Sequence, residues 1–114
     1  MHELSIAMSI VEMAEEEAQR HCGRVSAVHL KLGKLSGVAK EALLSSYEMA
    51  CQNTCLQGSR LMVEELPIVV YCDSCRAQRE LKLPHWFCCP ECGTPTPDVV
   101  QGKELEVVAL EIQS

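Results

Sequence analysis

Two Cys-x-x-Cys pairs, Cys72-Asp-Ser-Cys75 and Cys89-Pro-Glu-Cys92, stand thirteen residues apart and constrain this chain more than any other feature in it. Each short pair can present two sulfurs to one ion from a tight turn, and the spacing is that of a four-thiolate zinc site. The intervening segment, Arg76 to Cys88, is long enough for a short hairpin that brings the pairs together, so the stretch predicts a zinc ribbon. Pro90 inside the second pair and Gly93 directly after it favour the tight backbone turn of a metal knuckle. Cys88, four residues before Cys92, also falls within the permitted spacing for the fourth ligand. Cys89 is preferred because it gives two matching turns and leaves Cys88 as a free thiol. Two disulfides, or one redox-active pair, are the competing readings of the same cysteines.

At 114 residues and 47% hydrophobic composition, the chain has room for one small domain carrying an insert. Its net charge of −6 and pI near 5.1 argue against a protein that holds nucleic acid by neutralising phosphates. Within the ribbon, Arg76, Arg79 and Lys82 are matched by Asp73, Glu80 and Glu91, so no basic patch forms there. The start, Met1-His-Glu-Leu-Ser-Ile, carries no basic signal-peptide region, and no apolar run reaches membrane-spanning length. The expectation is a cytoplasmic protein that binds neither membrane nor nucleic acid, whose eight cysteines are metal ligands and free thiols.

From Leu4 to about Arg20, apolar residues at Leu4, Ala7, Met8, Val11, Ala14 and Ala18 recur at helical steps, with Glu12, Glu15, Glu16 and Gln19 opposite. Gly23 is placed to end that helix in a left-handed cap, with His21 in its last turn. Val28, Leu30 and Leu32 alternate with Ala27, His29 and Lys31, which predicts a strand buried on one face and leaves His29 outward. Gly33 to Gly37 reads as a loop. A second helix is predicted from about Val38 to Gln52, with Leu43, Leu44, Tyr47, Ala50 and Cys51 on its apolar stripe. Cys51 and Cys55 are a possible soft-metal pair by spacing, but Cys51 on that stripe is better read as core. A strand from Ser59 to Leu66 follows, closed by Pro67. Gly93 to Asp98 reads as a linker. A last strand from Lys103 to Ile112 has Val107 and Val108 adjacent, which predicts a bulge.

This order predicts an α+β fold, two helices on a three-stranded sheet with an inserted zinc-ribbon subdomain. Residues 1–67 plus 101–114 would form the body and residues 68–100 the insert. The ribbon is too short for a large core, so metal must supply folding free energy, about 10–16 kcal/mol in apparent terms for structural zinc.

The first three residues offer a second, different donor set. The α-amine of Met1, the amide nitrogen of His2 and the His2 Nδ1 can close adjacent chelate rings in one plane, and the amide or carboxylate of Glu3 can fill a further position. Such nitrogen-rich planar ligation suits nickel(II) or copper(II), whereas four thiolates suit zinc(II). The first amides of a helix have no intrahelical acceptor and are free to be deprotonated by a metal. Against this, a cation opposes the positive end of the helix dipole. Read blandly, His2 is a surface residue and Glu3 an acid complementing that dipole.

Met1-His-Glu-Leu-Ser-Ile, followed by a helix and later by Cys-x-x-Cys and Cys-Pro-x-Cys, resembles the HypA/HybF family of hydrogenase nickel-incorporation proteins. Leu32-Gly-Lys-Leu-Ser-Gly-Val38 and Leu61-Met-Val-Glu-Glu-Leu-Pro67 also sit where that family has similar segments, so the resemblance spans the chain. It implies a nickel metallochaperone, working with the GTPase HypB to load nickel into the large subunit of nickel-iron hydrogenase. It further implies that Met1, His2 and Glu3 hold nickel(II) and that Cys72, Cys75, Cys89 and Cys92 hold structural zinc(II). Urease and its accessory proteins are a second client in some organisms, and these residues do not separate the two. Monomer and homodimer both remain open. Cys22, Cys51, Cys55 and Cys88 belong to neither motif.

An enzyme is not expected. Four thiolates close the zinc shell that catalysis needs open, and there is no Gly-rich phosphate loop. The zinc-deaminase pattern also fails, because Pro90 follows Cys89 instead of preceding it. A zinc-ribbon module for nucleic acid is the alternative of a different class, and the acidic charge opposes it.

Overall fold

The computed structural model describes residues 2–82 and 87–114. Helix α1 (Glu3–Arg20) leads into strand β1 (Arg24–Gly33), helix α2 (Lys40–Cys51) and strand β2 (Arg60–Leu66). Strands β3 (Ile68–Cys72), β4 (Ala77–Leu81) and β5 (Val99–Gln101) come next, and β6 (Leu105–Gln113) ends the fold. β1 and β2 run parallel, as a crossover through α2 requires, and β6 lies antiparallel on the other side of β1, giving the order β2-β1-β6. The two helices and this three-stranded sheet are the α+β body that the hydrophobic periods predict. No described helix is long and apolar enough to cross a membrane.

The body's core is formed by Ala7, Val11, Ala14 and Ala18 of α1 with Val28 and Leu30 of β1, Leu43 and Tyr47 of α2, and Leu61 of β2. Cys51 packs there too, at 3% exposure, as its place on the apolar stripe predicts. The stripe of α1 is rotated from its expected position. Ile10 is buried, while Leu4 and Met8 are 44% and 56% exposed, so the buried line runs through positions 7, 10, 11, 14 and 18. The α1 cap also differs: the positive φ falls on Cys22 (52°), not on Gly23. Gly23 is required for another reason, since a Cβ there would lie 2.5 Å from the Gln113 carbonyl oxygen. The expected bulge is present, for His29 pairs with Ala109 and Leu30 with Val107, leaving Val108 as the extra residue.

The second sheet has the order β4-β3-β5. Here Cys72 faces Ala77 in register, so the first Cys-x-x-Cys pair is itself the turn of the β3-β4 hairpin. The hairpin was expected after that pair. Ile68, Val70 and Leu81 are buried together, with Leu35, Phe87 and Val99 packed against them.

Backbone bonds gather the end of β1 where the two sheets meet, two of them to the ends of β6 and β2 in its own sheet and one to the residue after β5. Gly33 N–H donates to Glu104 O at 2.8 Å, Lys34 N–H to Leu66 O at 3.1 Å, and Leu35 N–H to Gly102 O at 2.7 Å. A Cβ on Gly33 would meet the Gly102 carbonyl oxygen at 2.1 Å, and Gly102 itself has φ +131° while lying against Ile68. Two glycines are therefore needed for this approach.

Candidate metal centres

Cys72 ends β3, Cys75 lies in the turn that follows, and Cys89 and Cys92 come from a second turn that folds onto it. The four Sγ atoms all lie within 4.8 Å of one another. Cys72 Sγ is 3.5 Å from Cys92 Sγ, and Cys75 Sγ is 3.9 Å from Cys89 Sγ. Sulfurs at tetrahedral corners about 2.3 Å from zinc would be about 3.8 Å apart, so the donor set fits that ion. Disulfide sulfurs sit near 2.05 Å, and all eight cysteines are free. Cys88 is outside the cluster and forms a bridge to Pro95 instead.

The turns are shaped to hold sulfur. Cys75 N–H donates to Cys72 Sγ at 3.4 Å, and Gly93 N–H donates to Cys89 O at 2.8 Å with Gly93 in the left-handed region, φ +78°. The Cys92 thiol donates to the Thr94 hydroxyl at 3.2 Å, and Thr94 donates on to Ser74 Oγ at 3.1 Å. As a metal-bound thiolate, Cys92 would become the acceptor of that pair.

The cluster is electrostatically uneven. The Cys75 amide pulls the Cys72 thiol down, but burial and the three neighbouring sulfurs outweigh it and push the thiol up to about 11. Burial opposes ionisation of Cys89, yet the amides of Cys92 and Glu91 and the Arg79 guanidinium bring it down to about 6. The Cys75 and Cys89 sulfurs in turn hold Arg79 more firmly protonated. Arg79, Thr94 and Ser74 are site residues that the spacing of the cysteines did not reveal. For Arg79 a signal existed, as a lone cation in a five-residue strand next to four thiols.

At the other donor set, His2 is the exposed N-cap of α1, with φ −91° and ψ 89° and no side-chain cap bond. Met1 lies outside the described residues. Glu3 is the first residue of α1, and its carboxylate accepts the Ala39 N–H at 3.2 Å, just where α2 begins. That bond, and one from its own amide, hold the Glu3 carboxyl below the usual range. His21 is the C-cap of α1, and His29 faces Glu111 with Nε2 to Oε2 at 2.6 Å, so neither is brought to His2 or to the cysteines.

Fold and sulfur cluster together define a small α+β metal-binding protein with a four-cysteine ribbon. The family described as hydrogenase/urease nickel incorporation, metallochaperone, HypA matches residues 1–112. Hydrogenase maturation factor HypA of Roseiflexus sp. (strain RS-1) is 47% identical over 114 residues, spanning 99% of this chain and 93% of that protein. Its counterpart from Chloroflexus aurantiacus is 47% identical over 112 residues, 97% of this chain and 98% of that one. The solution structure of the Ni metallochaperone HypA from Helicobacter pylori superposes with a TM-score of 0.65 at 21% identity, over 98% of this chain and 97% of that chain. A second HypA solution structure gives 0.72 at 22% identity, over 99% of this chain and 97% of that chain. This chain belongs to the HypA family of nickel-incorporation metallochaperones for hydrogenase maturation.

Proposed function

We propose that this protein takes nickel(II) at its N-terminus as cargo and keeps zinc(II) in the ribbon as a structural ion. The Met1 α-amine, the His2 amide and the His2 imidazole would close the chelate, with Glu3 completing it through its amide or carboxylate. The observation that carries this reading is the family match over residues 1–112 on a chain whose His2 stands exposed at the first turn of α1. The Glu3 carboxylate is engaged by Ala39 N–H, so ligation through it would loosen the contact between the starts of the two helices. Cys72, Cys75, Cys89 and Cys92 would hold zinc in a closed shell, whose chemistry is to fix the two turns. Residues 1–67 with 101–114 would act as the nickel unit and residues 68–100 as the ribbon.

Nickel would pass, with the GTPase HypB, to the hydrogenase large subunit, and the urease machinery is a further client of the same chemistry. The protein would act in the cytoplasm, as monomer or homodimer. Metal analysis and nickel titration of protein with its native terminus test the proposal. A single tight zinc and a single labile nickel are expected, with His2→Ala losing the nickel and His21→Ala and His29→Ala keeping it. Full nickel uptake by His2→Ala at unchanged zinc content would rule the site out.

A further inference from the structure

Beside the N-terminus an apolar depression of about 390 Å³ opens between α1 and β6, floored by Ile6, Ile10, Met13, Leu105 and Val107. Its near end is one helical turn from the proposed nickel residue, since Ile6 N–H donates to His2 O at 3.2 Å. At one side it shares Ser9 and Met13 with a shallower hollow edged by Glu12 and Glu16. On the strand side it shares Leu105 with a hollow edged by Glu104 and Glu106, where Lys103 is the one cation. Glu104 is partly engaged by the Gly102 N–H, and Glu106 stands opposite Lys31 in the β1-β6 register without an ion pair among the described residues. The result is an apolar floor between acidic margins.

Among the described residues β6 is the last strand of its sheet, so its outer edge carries backbone donors and acceptors without a strand partner. The row Leu105 and Val107 points into the depression, and Glu106 points to the opposite face. A strand added alongside would lay every second side chain against Ile6, Ile10 and Met13, and set the alternate ones near Glu106. We propose that this groove and the β6 edge form a docking site for an extended segment of a partner protein, alternating apolar and basic residues. The position suits a protein that gives nickel to or takes it from His2, so the inference rests on the proposed function. A second copy of this chain is a poor occupant. It brings a net charge of −6 and the same carboxylates, and the bulge at Val108 interrupts any long self-pairing of β6.

The test uses zinc-loaded, full-length protein, labelled for NMR, and a capped peptide of about seven residues alternating Val and Lys. Binding should move the Leu105, Glu106 and Val107 amides and the Ile6, Ile10 and Met13 methyls. A Val/Glu peptide, and a Val/Lys peptide with alternate backbone N-methyl groups, should each bind at least about tenfold more weakly. Leu105→Asp, at a 37% exposed edge position, should cost a similar factor while zinc content, nickel affinity and melting temperature hold. Ser9→Arg, on the exposed wall of α1, should do the same and covers the case where the first variant unfolds. Equal binding of the Lys and Glu peptides, shifts centred on Met62 and His29 across the sheet, or concentration-dependent dimerisation through the β6 amides would each overturn the proposal. Failure of nickel to bind at His2 would leave these peptide shifts unchanged, so the two readings fail separately.

Discussion

The body and the ribbon of this protein are each built on three strands, yet they are held together by different means. Among the described residues the body buries an apolar cluster of thirteen side chains, drawn from both helices, β1, β2 and the α2-β2 connection, while the apolar cluster of the ribbon has three, Ile68, Val70 and Leu81. Each large aliphatic side chain contributes about 1.5–3 kcal/mol on burial, against about 1–2 kcal/mol of backbone entropy for every residue ordered. Three cannot order a segment the length of the ribbon. Four sulfurs drawn to one point would make up the difference when a metal joins them, so on the proposed reading the body is stable by packing and the ribbon by coordination.

Removing the metal should therefore have the largest effect and should fall on one half. Cys72→Ala or Cys92→Ala is expected to lose zinc and to collapse the amide spectrum of β3 and β4 while α1 and β1 keep theirs; the coordination at stake is about 10–16 kcal/mol in apparent terms. A mutant that keeps a full zinc equivalent would mean that the ligands are wrongly named. The converse break is Leu43→Ala, at a fully buried position of α2, which should cost the body about 2–5 kcal/mol in denaturant unfolding and leave zinc bound. Gly33→Ala attacks the joint. The added methyl would sit 2.1 Å from the Gly102 oxygen, so the backbone must shift, at about 1–3 kcal/mol, and the Leu35 and Gly102 amide signals should move together. If the Ile68 signal stays put while those of Leu35 and Gly102 move, the ribbon is less firmly joined to the body than the approach of Gly102 to Ile68 implies.

Much of this division is legible in the sequence, because it rests on local rules. The cysteine spacing marks the ribbon, and periods of 3.6 and 2 mark both helices and three strands of the body. What the sequence hid was set by tertiary approach. Gly23 looked like a helix cap, but is small because the Gln113 carbonyl passes over it. Leu4 and Met8 fit a helical stripe, but the packing of α1 buries the line through Ile10 and leaves both exposed. The Ala39 bond to Glu3 joins residues 36 positions apart, which no local pattern records.

That bond gives the smallest predicted effect. The Ala39 N–H holds the Glu3 carboxyl below its ordinary 4.5, so the tie is present above that value and is lost as pH falls through the lower, folded one. The Ala39 amide shift should titrate with a midpoint below 4.5 and lose the transition in Glu3→Gln. A midpoint at or above the ordinary value would contradict the bond. Cys88→Ala should change zinc content not at all, whereas loss of zinc there with retention in Cys89→Ala would exchange the roles of these neighbours.

The central claim, that nickel is held by the very start of the chain, is tested most directly by adding Gly-Ser before Met1 and comparing nickel titrations with those of the native terminus. Extension turns the Met1 amine into an amide, which gives up its proton far less readily, and leaves His2, Glu3 and the cysteines as they are. The account predicts a marked loss of nickel affinity at unchanged zinc content. Equal affinity for the two proteins would contradict it.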